Sequence, residues 1–350
     1  MAVPARSLCL CLEQTLGHRT HGANVEASLH ARGIPADIVH VEQGRRGRLP
    51  WALEGSRRAR AQVRSLGRAH GVTFFHTQTI ALFARQAVQG HRYVVSVDAT
   101  PLQYDAVGRW YNHRAAPGPV ERLKKRWYES VFRDAAGLVA WSNWARDSLV
   151  QDYGADAARV FVAHPGAPDS LFAIERQPRP AGRIPRILFV GGDFERKGGP
   201  GLLAAFRRLA GRAELVLMTD AEVPRETGIR ILRGVRPGTP EFLRCFADAD
   251  LFCLPTLGDC TPVAIGEAMA AGLPVVTTAV GSNEETVSDG AGFVLPAGDE
   301  TALAETLARL IDDGALRDAM GRRAREVARD RLSASRNGDR LVSHLLELAQ

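Results

Sequence analysis

Lysine is almost missing from this chain. Of its 45 basic residues, only Lys124, Lys125 and Lys197 are lysines. Chemistry that needs a covalently loaded lysine therefore has few places to occur. Cysteine is also sparse. Cys9 and Cys11 alternate on one side of a predicted strand, and Cys245, Cys253 and Cys260 lack paired spacing. Neither a zinc pattern nor a disulfide framework fits, and an odd count reads as reduced cytosolic thiols. No apolar run approaches the ~20 residues of a membrane span. Met1 to Arg6 carries one arginine ahead of a short apolar strand, which argues against a signal peptide. Basic residues are not interleaved with an aromatic platform, so nucleic acid is not expected as a partner. What is present is bulk: 350 residues at 45% hydrophobic content, enough for two α/β cores.

Two segments stand out. The first is Phe189-Val190-Gly191-Gly192-Asp193-Phe194-Glu195-Arg196-Lys197-Gly198-Gly199. Ile187 to Val190 suits a buried strand and is too short for a helix. Gly191 and Gly192 allow a sharp exit. From Pro200, the residues Leu202, Leu203, Phe206 and Leu209 fall on one helical face. A strand, a glycine turn and a helix start make an anion site, because the first helical N–H groups point back at the turn. Arg196 and Lys197 add a planar fork and a mobile point charge suited to phosphate. A solvated Arg-Lys pair is the plainer alternative. The segment is neither a Walker loop nor a Gly-x-Gly-x-x-Gly fingerprint.

The second segment follows the apolar run Leu251 to Pro255. Thr256 to Cys260 reads as a loop, Thr261 as an N-cap and Pro262 as the first helical residue. The helix continues through Val263, Ile265, Glu267 and Met269 to Gly272. Asp259 then lies just outside a helix N-terminus and Glu267 one to two turns inside. A carboxylate accepts two hydrogen bonds from a vicinal diol, and the helix start between them can hold a phosphate. Asp259 and Glu267 read alternatively as two ordinary surface acids.

Asp259-x7-Glu267 followed by Ala-Met-Ala-Ala-Gly-Leu-Pro-Val-Val resembles the signature of family 4 retaining glycosyltransferases. Val280 to Val287, Asp289 to Leu295, Phe189 to Gly199 and the His164-Pro165-Gly166 stretch fit the same pattern. The match runs from about Trp141 to Arg331. The resemblance implies an α/β GT-B fold, two Rossmann-like domains facing each other across a cleft. It implies a sugar donor on the second domain and an acceptor on the first. The expected division is 1–168, a linker at 169–185, 186–331, and a helix at 332–350 crossing back to the first domain. Gln177 to Gly182 is the linker by composition.

Under that resemblance the catalytic residues are Arg196, Lys197 and Asp259. Gly191, Gly192, Val235, Cys260, Thr261, Pro262, Val263 and Glu267 bind the donor. Glu267 takes the ribose diol, Asp259 the sugar hydroxyls, and Gly234-Val235 passes under the nucleobase. No cofactor or metal is implied, and a nucleoside-diphosphate sugar is the co-substrate. Three positions depart from the family pattern. Asp259 stands where a glutamate is usual, Gly192 where many members carry arginine, and Pro262 lacks an N–H. Asp248-Ala249-Asp250 could be read as a metal-binding Asp-x-Asp, but it sits ahead of a buried strand and reads as helix termination. A non-catalytic relative that binds nucleotide sugar or a partner is the rival, with an epimerase or phosphorylase of the same fold as a second.

In the first half, Leu8 to Leu12 reads as the first strand and Glu13 to Gly22 as a polar loop at its carboxyl end. Gly17, His18, Thr20, His21 and Gly22 are there candidates for phosphate or acceptor, or solvated loop residues. Asp98 follows the strand Tyr93 to Val97 and reads as a cleft acid for acceptor hydroxyls or as an N-cap. Many family members carry a cleft histidine there. Arg133 to Ser142 echoes Phe246 to Pro255, as expected of two copies of one layout. Basic charge gathers at Arg45, Arg46, Arg48, Arg57, Arg58, Arg60, Arg64 and Arg68, and again at Arg122, Lys124, Lys125 and Arg126. In the helix Pro119 to Phe132, the stripe Val120, Leu123, Trp127 and Val131 faces the core with a solvated basic face opposite, or the helix docks on anionic lipid headgroups or an anionic acceptor. The expected location is cytoplasmic, with the sharper reading a peripheral contact on the inner membrane face.

Overall fold

The computed structural model describes residues 8–43, 50–67, 69–88, 91–111, 117–176, 182–209 and 211–350. Met1 to Arg6, Arg45, Arg46, Arg48, Arg68 and most of the Gln177 to Gly182 stretch lie outside them.

The chain forms two compact units. Unit 1 holds Met1–Gly108, His113–Pro165 and Ala334–Gln350; unit 2 holds Arg109–Asn112 and Gly166–Ser333. Each is built on a six-stranded parallel sheet.

Unit 1 contains β1 (Leu8–Glu13), β2 (Ala36–Val41), β3 (Val72–Phe75), β4 (Arg92–Val97), β5 (Gly137–Ala140) and β6 (Val160–Val162), in the order β2-β1-β3-β4-β5-β6. Both faces of β1 are buried. Leu8, Leu10 and Leu12 join one core cluster, and Cys9 and Cys11 join another. That explains its unbroken apolar sequence. The strand order reverses between β1 and β3. In open parallel sheets, ligands bind outside the carboxyl ends at such a switch point.

Unit 2 contains β7 (Arg186–Val190), β8 (Glu214–Met218), β9 (Ile229–Leu232), β10 (Leu251–Leu254), β11 (Val275–Thr278) and β12 (Gly292–Leu295). Their order is β12-β11-β10-β7-β8-β9, with the switch between β7 and β10. The two segments singled out in the sequence leave the carboxyl ends of these two adjacent strands.

The internal echo has a structural counterpart. The helices Gly118–Asp134 and Pro240–Asp248 both stop at an alanine in extended conformation. Ala135 has φ −68° and ψ 140°; Ala249 has φ −74° and ψ 155°. Each alanine leads at once into a buried strand, β5 or β10.

Several expectations need correction. Glu13 to Gly22 is not a loop. A helix runs Leu16–Ala31 and takes in Gly17, His18, Thr20, His21 and Gly22. Its buried stripe is His21, Gly22, Val25, Ser28 and Leu29. Histidine, glycine and serine occupy positions usually held by apolar residues, so the 3.6-residue period is hard to see.

The helix expected from Pro119 runs Gly118–Asp134, and its apolar stripe is divided. Val131 is buried, along with Tyr128 and Phe132, whereas Val120, Leu123 and Trp127 are 52%, 46% and 44% exposed. Asp169 onward, expected as linker, is built into unit 2. Asp169–Phe172 is helical, Leu171 joins the unit 2 core, and Arg176 donates to the carbonyls of Phe246, Ala249 and Ala271.

The helix Ala334–Leu348 packs on the Leu16–Ala31 helix in unit 1. Leu341, Val342 and Leu345 cover the β1 face that carries Leu8, Leu10 and Leu12. Gly338 makes the approach possible: a Cβ there would sit 2.0 Å from Ser28 Oγ.

Candidate functional site

At the unit 2 switch point, β7 ends at Val190 and the chain turns through Gly191 to Gly198 into the helix Gly199–Arg207. Gly191 and Gly192 do not make the sharp turn. Neither has positive φ, and Gly192 faces open space. The strained position is Gly198, at φ 77°. A Cβ there would lie 1.9 Å from the Pro255 carbonyl oxygen, so glycine lets the helix start approach the end of β10.

The next loop is tied to this turn. Leu257 N donates to the Arg196 carbonyl at 2.9 Å. Asp259 is carried back onto the cations. Its Oδ1 accepts from Arg196 Nη1 at 3.1 Å, and its Oδ2 accepts from Lys197 Nζ at 2.6 Å and from Thr256 Oγ1 at 3.0 Å. Arg196 also donates to the Gly258 carbonyl at 2.7 Å, to the Tyr111 hydroxyl at 3.2 Å and, through Nε, to Asp193 at 3.1 Å. Asp259 and Arg196 are each 6% exposed. Buried charges persist only when paired in this way. Asp259 was expected at sugar hydroxyls; here both of its oxygens face side-chain cations.

The following helix begins one residue later than expected. Pro262 is the N-cap and the helix is Val263–Ala270, with no side-chain cap. Thr261 Oγ1 instead accepts from Ser282 Oγ at 3.1 Å, and the Cys260 carbonyl accepts from Ser282 N at 2.9 Å. The N–H groups of Val263 and Ala264 precede any intrahelical acceptor, as at every helix start. Glu267 is 6% exposed, and its carboxylate makes no hydrogen bond or ion pair among the described residues. Burial pushes its pKa up from 4.5 to about 7. With no protein partner, the oxygens of this largely buried carboxylate are left for water or a ligand.

Val235 stands apart from this cluster. It follows β9, two strands from β7, and packs half-buried against the unit 2 core. Neighbouring Gly234 donates its N–H to Asp220 Oδ1 at 2.8 Å. Asp250 is engaged elsewhere, accepting from Arg183 Nη2 at 3.0 Å and from the Arg186 amide at 2.8 Å. That pairing suits a helix-to-strand junction.

Unit 1 gathers a second cluster at its own switch point. Glu13, at the end of β1, accepts from Thr15 and from Trp51 Nε1, each at 2.8 Å, and from Thr77. His21 and His76 stack at 5.0 Å between ring centroids, with Nδ1 of His21 2.7 Å from Nε2 of His76. Trp141, after β5, lies against both rings and against His18. Burial and the neighbouring His18 lower the His21 pKa to about 3, so it is neutral. Burial lowers that of His76 as well. His18 Nε2 lies 3.6 Å from Asp98 Oδ2, and both side chains are partly exposed. Burial raises the Asp98 pKa, opposed by His18. Asp98 does not cap the next helix; Thr100 does, in a capping box with Gln103. Gly17 is exposed on the first turn of its helix.

Sequence reasoning missed Tyr111, Asp193, Thr256, Glu13 and His76. Asp193 and Thr256 carried a signal, since each lies within three residues of a residue already selected. Tyr111 carried none.

Two family profiles cover most of the chain. Residues 5–171 match the family described as Glycosyltransferase Family 4, and residues 184–313 match Glycosyl transferases group 1. The chain belongs to the family 4 glycosyltransferases. A D-inositol 3-phosphate glycosyltransferase of Xylanimonas cellulosilytica is 31% identical over 272 residues, covering 69% of this chain and 64% of that protein. The matches to eight such relatives span between 51% and 64% of their own length. Among solved structures, sucrose-phosphate synthase from Thermosynechococcus elongatus aligns with a TM-score of 0.78 at 14% identity, covering 97% of this chain and 98% of that one. Anabaena Alr3699/HepE, crystallised with UDP-glucose, aligns with a TM-score of 0.71 at 15% identity, covering 97% and 99%. The fold of this family 4 member is therefore GT-B.

Proposed function

We propose that the protein moves a sugar from a nucleoside-diphosphate sugar to a hydroxyl acceptor with retention at the anomeric carbon. The observation that carries this reading is Glu267. It is a buried carboxylate without a partner, on a helix whose start adjoins the Arg196–Lys197 pair. A ribose diol would supply the two missing hydrogen bonds. The UDP-glucose complex of the Anabaena protein supports a nucleotide-sugar ligand for this fold.

In the proposed step, the acceptor oxygen bonds to the anomeric carbon on the face from which the diphosphate departs. The bond from that carbon to the diphosphate oxygen breaks, and its electron pair stays on the phosphate. The acceptor proton passes to the same leaving phosphate, so no enzymic base takes part. Arg196, Lys197 and the Val263 and Ala264 N–H groups stabilise the charge that builds there. With cations supplied by side chains, the step requires no metal ion. Gly191 and Gly192 leave room beside Lys197, Cys260, Thr261 and Pro262 shape the loop, and Val235 lines the outer, nucleobase end.

His18 and Asp98 are proposed to bind an acceptor hydroxyl. The curated relatives are named for a phosphorylated acceptor, inositol 3-phosphate; a carboxylate in this position favours an uncharged hydroxyl instead. His76 and Trp141 lie against the His18 ring, and His21 backs His76. The exposed Val120, Leu123 and Trp127, with Arg122, Lys125 and Arg126 beside them, suit peripheral contact with anionic lipid from the cytoplasmic side. Phosphatidylglycerol vesicles should retain the protein on sedimentation and phosphatidylcholine vesicles should not.

A screen of UDP-, GDP- and ADP-sugars for thermal stabilisation, followed by donor hydrolysis, tests the main reading. Stabilisation without hydrolysis or transfer would favour a nucleotide-sugar binding protein. The engagement of Asp259 with two cations is the observation on that side.

A further inference from the structure

We propose that Asp259 is an internal counter-ion that aims Arg196 and Lys197 and competes with the donor diphosphate for them. It acts as a positioning residue, through those two cations. This rests on the donor-site reading above.

The side chain is short and turned inward. Oδ1 faces Arg196 at 3.1 Å, while Oδ2 is shared by Lys197 at 2.6 Å and Thr256 at 3.0 Å. Thr256 Oγ1 lies 3.3 Å from the Arg196 carbonyl, which ties this arrangement to the β7 turn. An aspartate carboxylate reaches one methylene less far than a glutamate. That difference suits a group held back beside the cations.

The cations keep capacity toward a ligand. Arg196 uses Nε and Nη1 on Asp193, Tyr111, Gly258 and Asp259, while Nη2 makes no hydrogen bond among the described residues. Lys197 Nζ uses one of its three hydrogens on Asp259. Asp259 therefore fixes the direction of both groups and leaves donors free.

It also sets the charge. Asp193 and Asp259 face Arg196 and Lys197, so the four side chains sum to near neutrality before a ligand arrives. A diphosphate held by the same cations sits close to the Asp259 carboxylate and is repelled by it. The leaving nucleoside diphosphate bears more charge on its terminal phosphate than the donor does. Repulsion thus weakens the product more than the substrate, which favours release.

Asp259→Asn tests the two roles together. Asparagine keeps the shape and one acceptor oxygen but removes the charge. Calorimetry with UDP, GDP and ADP should show tighter binding by about tenfold, because a close charge has been removed. Turnover of the matching donor should fall, because the cations lose part of their aim and the product leaves more slowly. Asp259→Glu, which restores the charge, should return nucleotide affinity toward that of the unsubstituted protein. Weaker nucleotide binding in a folded Asp259→Asn protein overturns the proposal.

A ligand-free measurement separates this from the donor reading. Lys197 is one of three lysines, so acylation by an amine-reactive ester can be followed site by site. Asp259→Asn should unmask Lys197 several-fold relative to Lys125. No change in Lys197 labelling overturns the counter-ion role, whatever the protein binds. Unmasking without nucleotide binding in any variant supports the ion pair and defeats the donor reading instead.

Discussion

The Tyr111 hydroxyl accepts a hydrogen bond from Arg196 Nη1 at 3.2 Å, and its ring centroid lies 4.5 Å from the guanidinium carbon. One residue thus contacts the arginine both as an acceptor and as a π face. Tyr111 belongs to unit 2, although the helices on either side of it in sequence, Pro101–Val107 and Gly118–Asp134, belong to unit 1. Tyr111→Phe should keep the stacking and lose an acceptor of a charged donor, at ~1.5–3 kcal/mol. Tyr111→Ala should also lose the cation–π contact, which contributes ~0.5–2 kcal/mol. The ordering to look for in donor kcat/KM is unsubstituted, then Phe, then Ala. Equal values for all three would remove Tyr111 from the site.

Lys197→Ala removes a charge-assisted hydrogen bond worth ~1.5–3 kcal/mol. Donor turnover should fall by about one to two decades while circular dichroism remains that of a folded α/β protein. The same assay in excess EDTA should proceed unchanged, since Arg196 and Lys197 provide the neutralising charge. Loss of activity in EDTA that magnesium or manganese restores would contradict the proposal that the step needs no metal ion.

Glu267 gives a pH signature. Burial raises its pKa from 4.5 to about 7, so the folded protein holds a proton that the unfolded chain releases. The associated stability is fully present below pH 4.5 and is lost as pH rises through about 7. The loss amounts to ~3 kcal/mol. Glu267→Gln should abolish this term and be the more stable protein at pH 8, measured by urea titration. It should also bind nucleoside diphosphate more weakly at that pH, having lost a carboxylate acceptor. In the unsubstituted protein, nucleotide affinity should rise with pH through about 7 as Glu267 ionises. Calorimetry in buffers of different ionisation enthalpy should then register proton release on binding.

The unit 2 switch point was legible because its signals are local. A strand, its glycines and the next helix follow one another directly from Arg186 to Arg207, and Asp259 and Glu267 lie eight apart in a second such stretch. What failed was long-range or disguised. Tyr111 and Arg196 are 85 positions apart, and no pattern in either segment predicts their contact. His21 and Gly22 fill a helix's buried face with residues that read as loop. The stripe of Val120, Leu123, Trp127 and Val131 was real as a period. A period fixes which residues share a face and is silent on what that face meets, so core and surface both stayed open as readings. Thr261 looked like a cap, but its hydroxyl is bonded to Ser282, which comes from a later turn.

Leu341, Val342 and Leu345 are fully buried against β1 and its neighbours. Each such side chain contributes ~1.5–3 kcal/mol by burial. Removing residues 334–350 should therefore unfold unit 1 or leave it binding a hydrophobic dye. Unit 2 should keep its nucleotide-dependent melting transition. A truncated chain with an unchanged unit 1 transition would show that the helix is dispensable.

That helix also dictates an order of events during synthesis. A ribosome delivers the six unit 1 strands first, then Gly166–Ser333 of unit 2, and only afterwards Ala334–Leu348. The first unit to emerge is thus the last to be completed. Through the whole translation of Gly166–Ser333, the Leu8, Leu10 and Leu12 face has Val25 and Leu29 against it but lacks Leu341, Val342 and Leu345. A nascent chain stalled there presents a half-covered apolar surface of the kind that holdase chaperones bind.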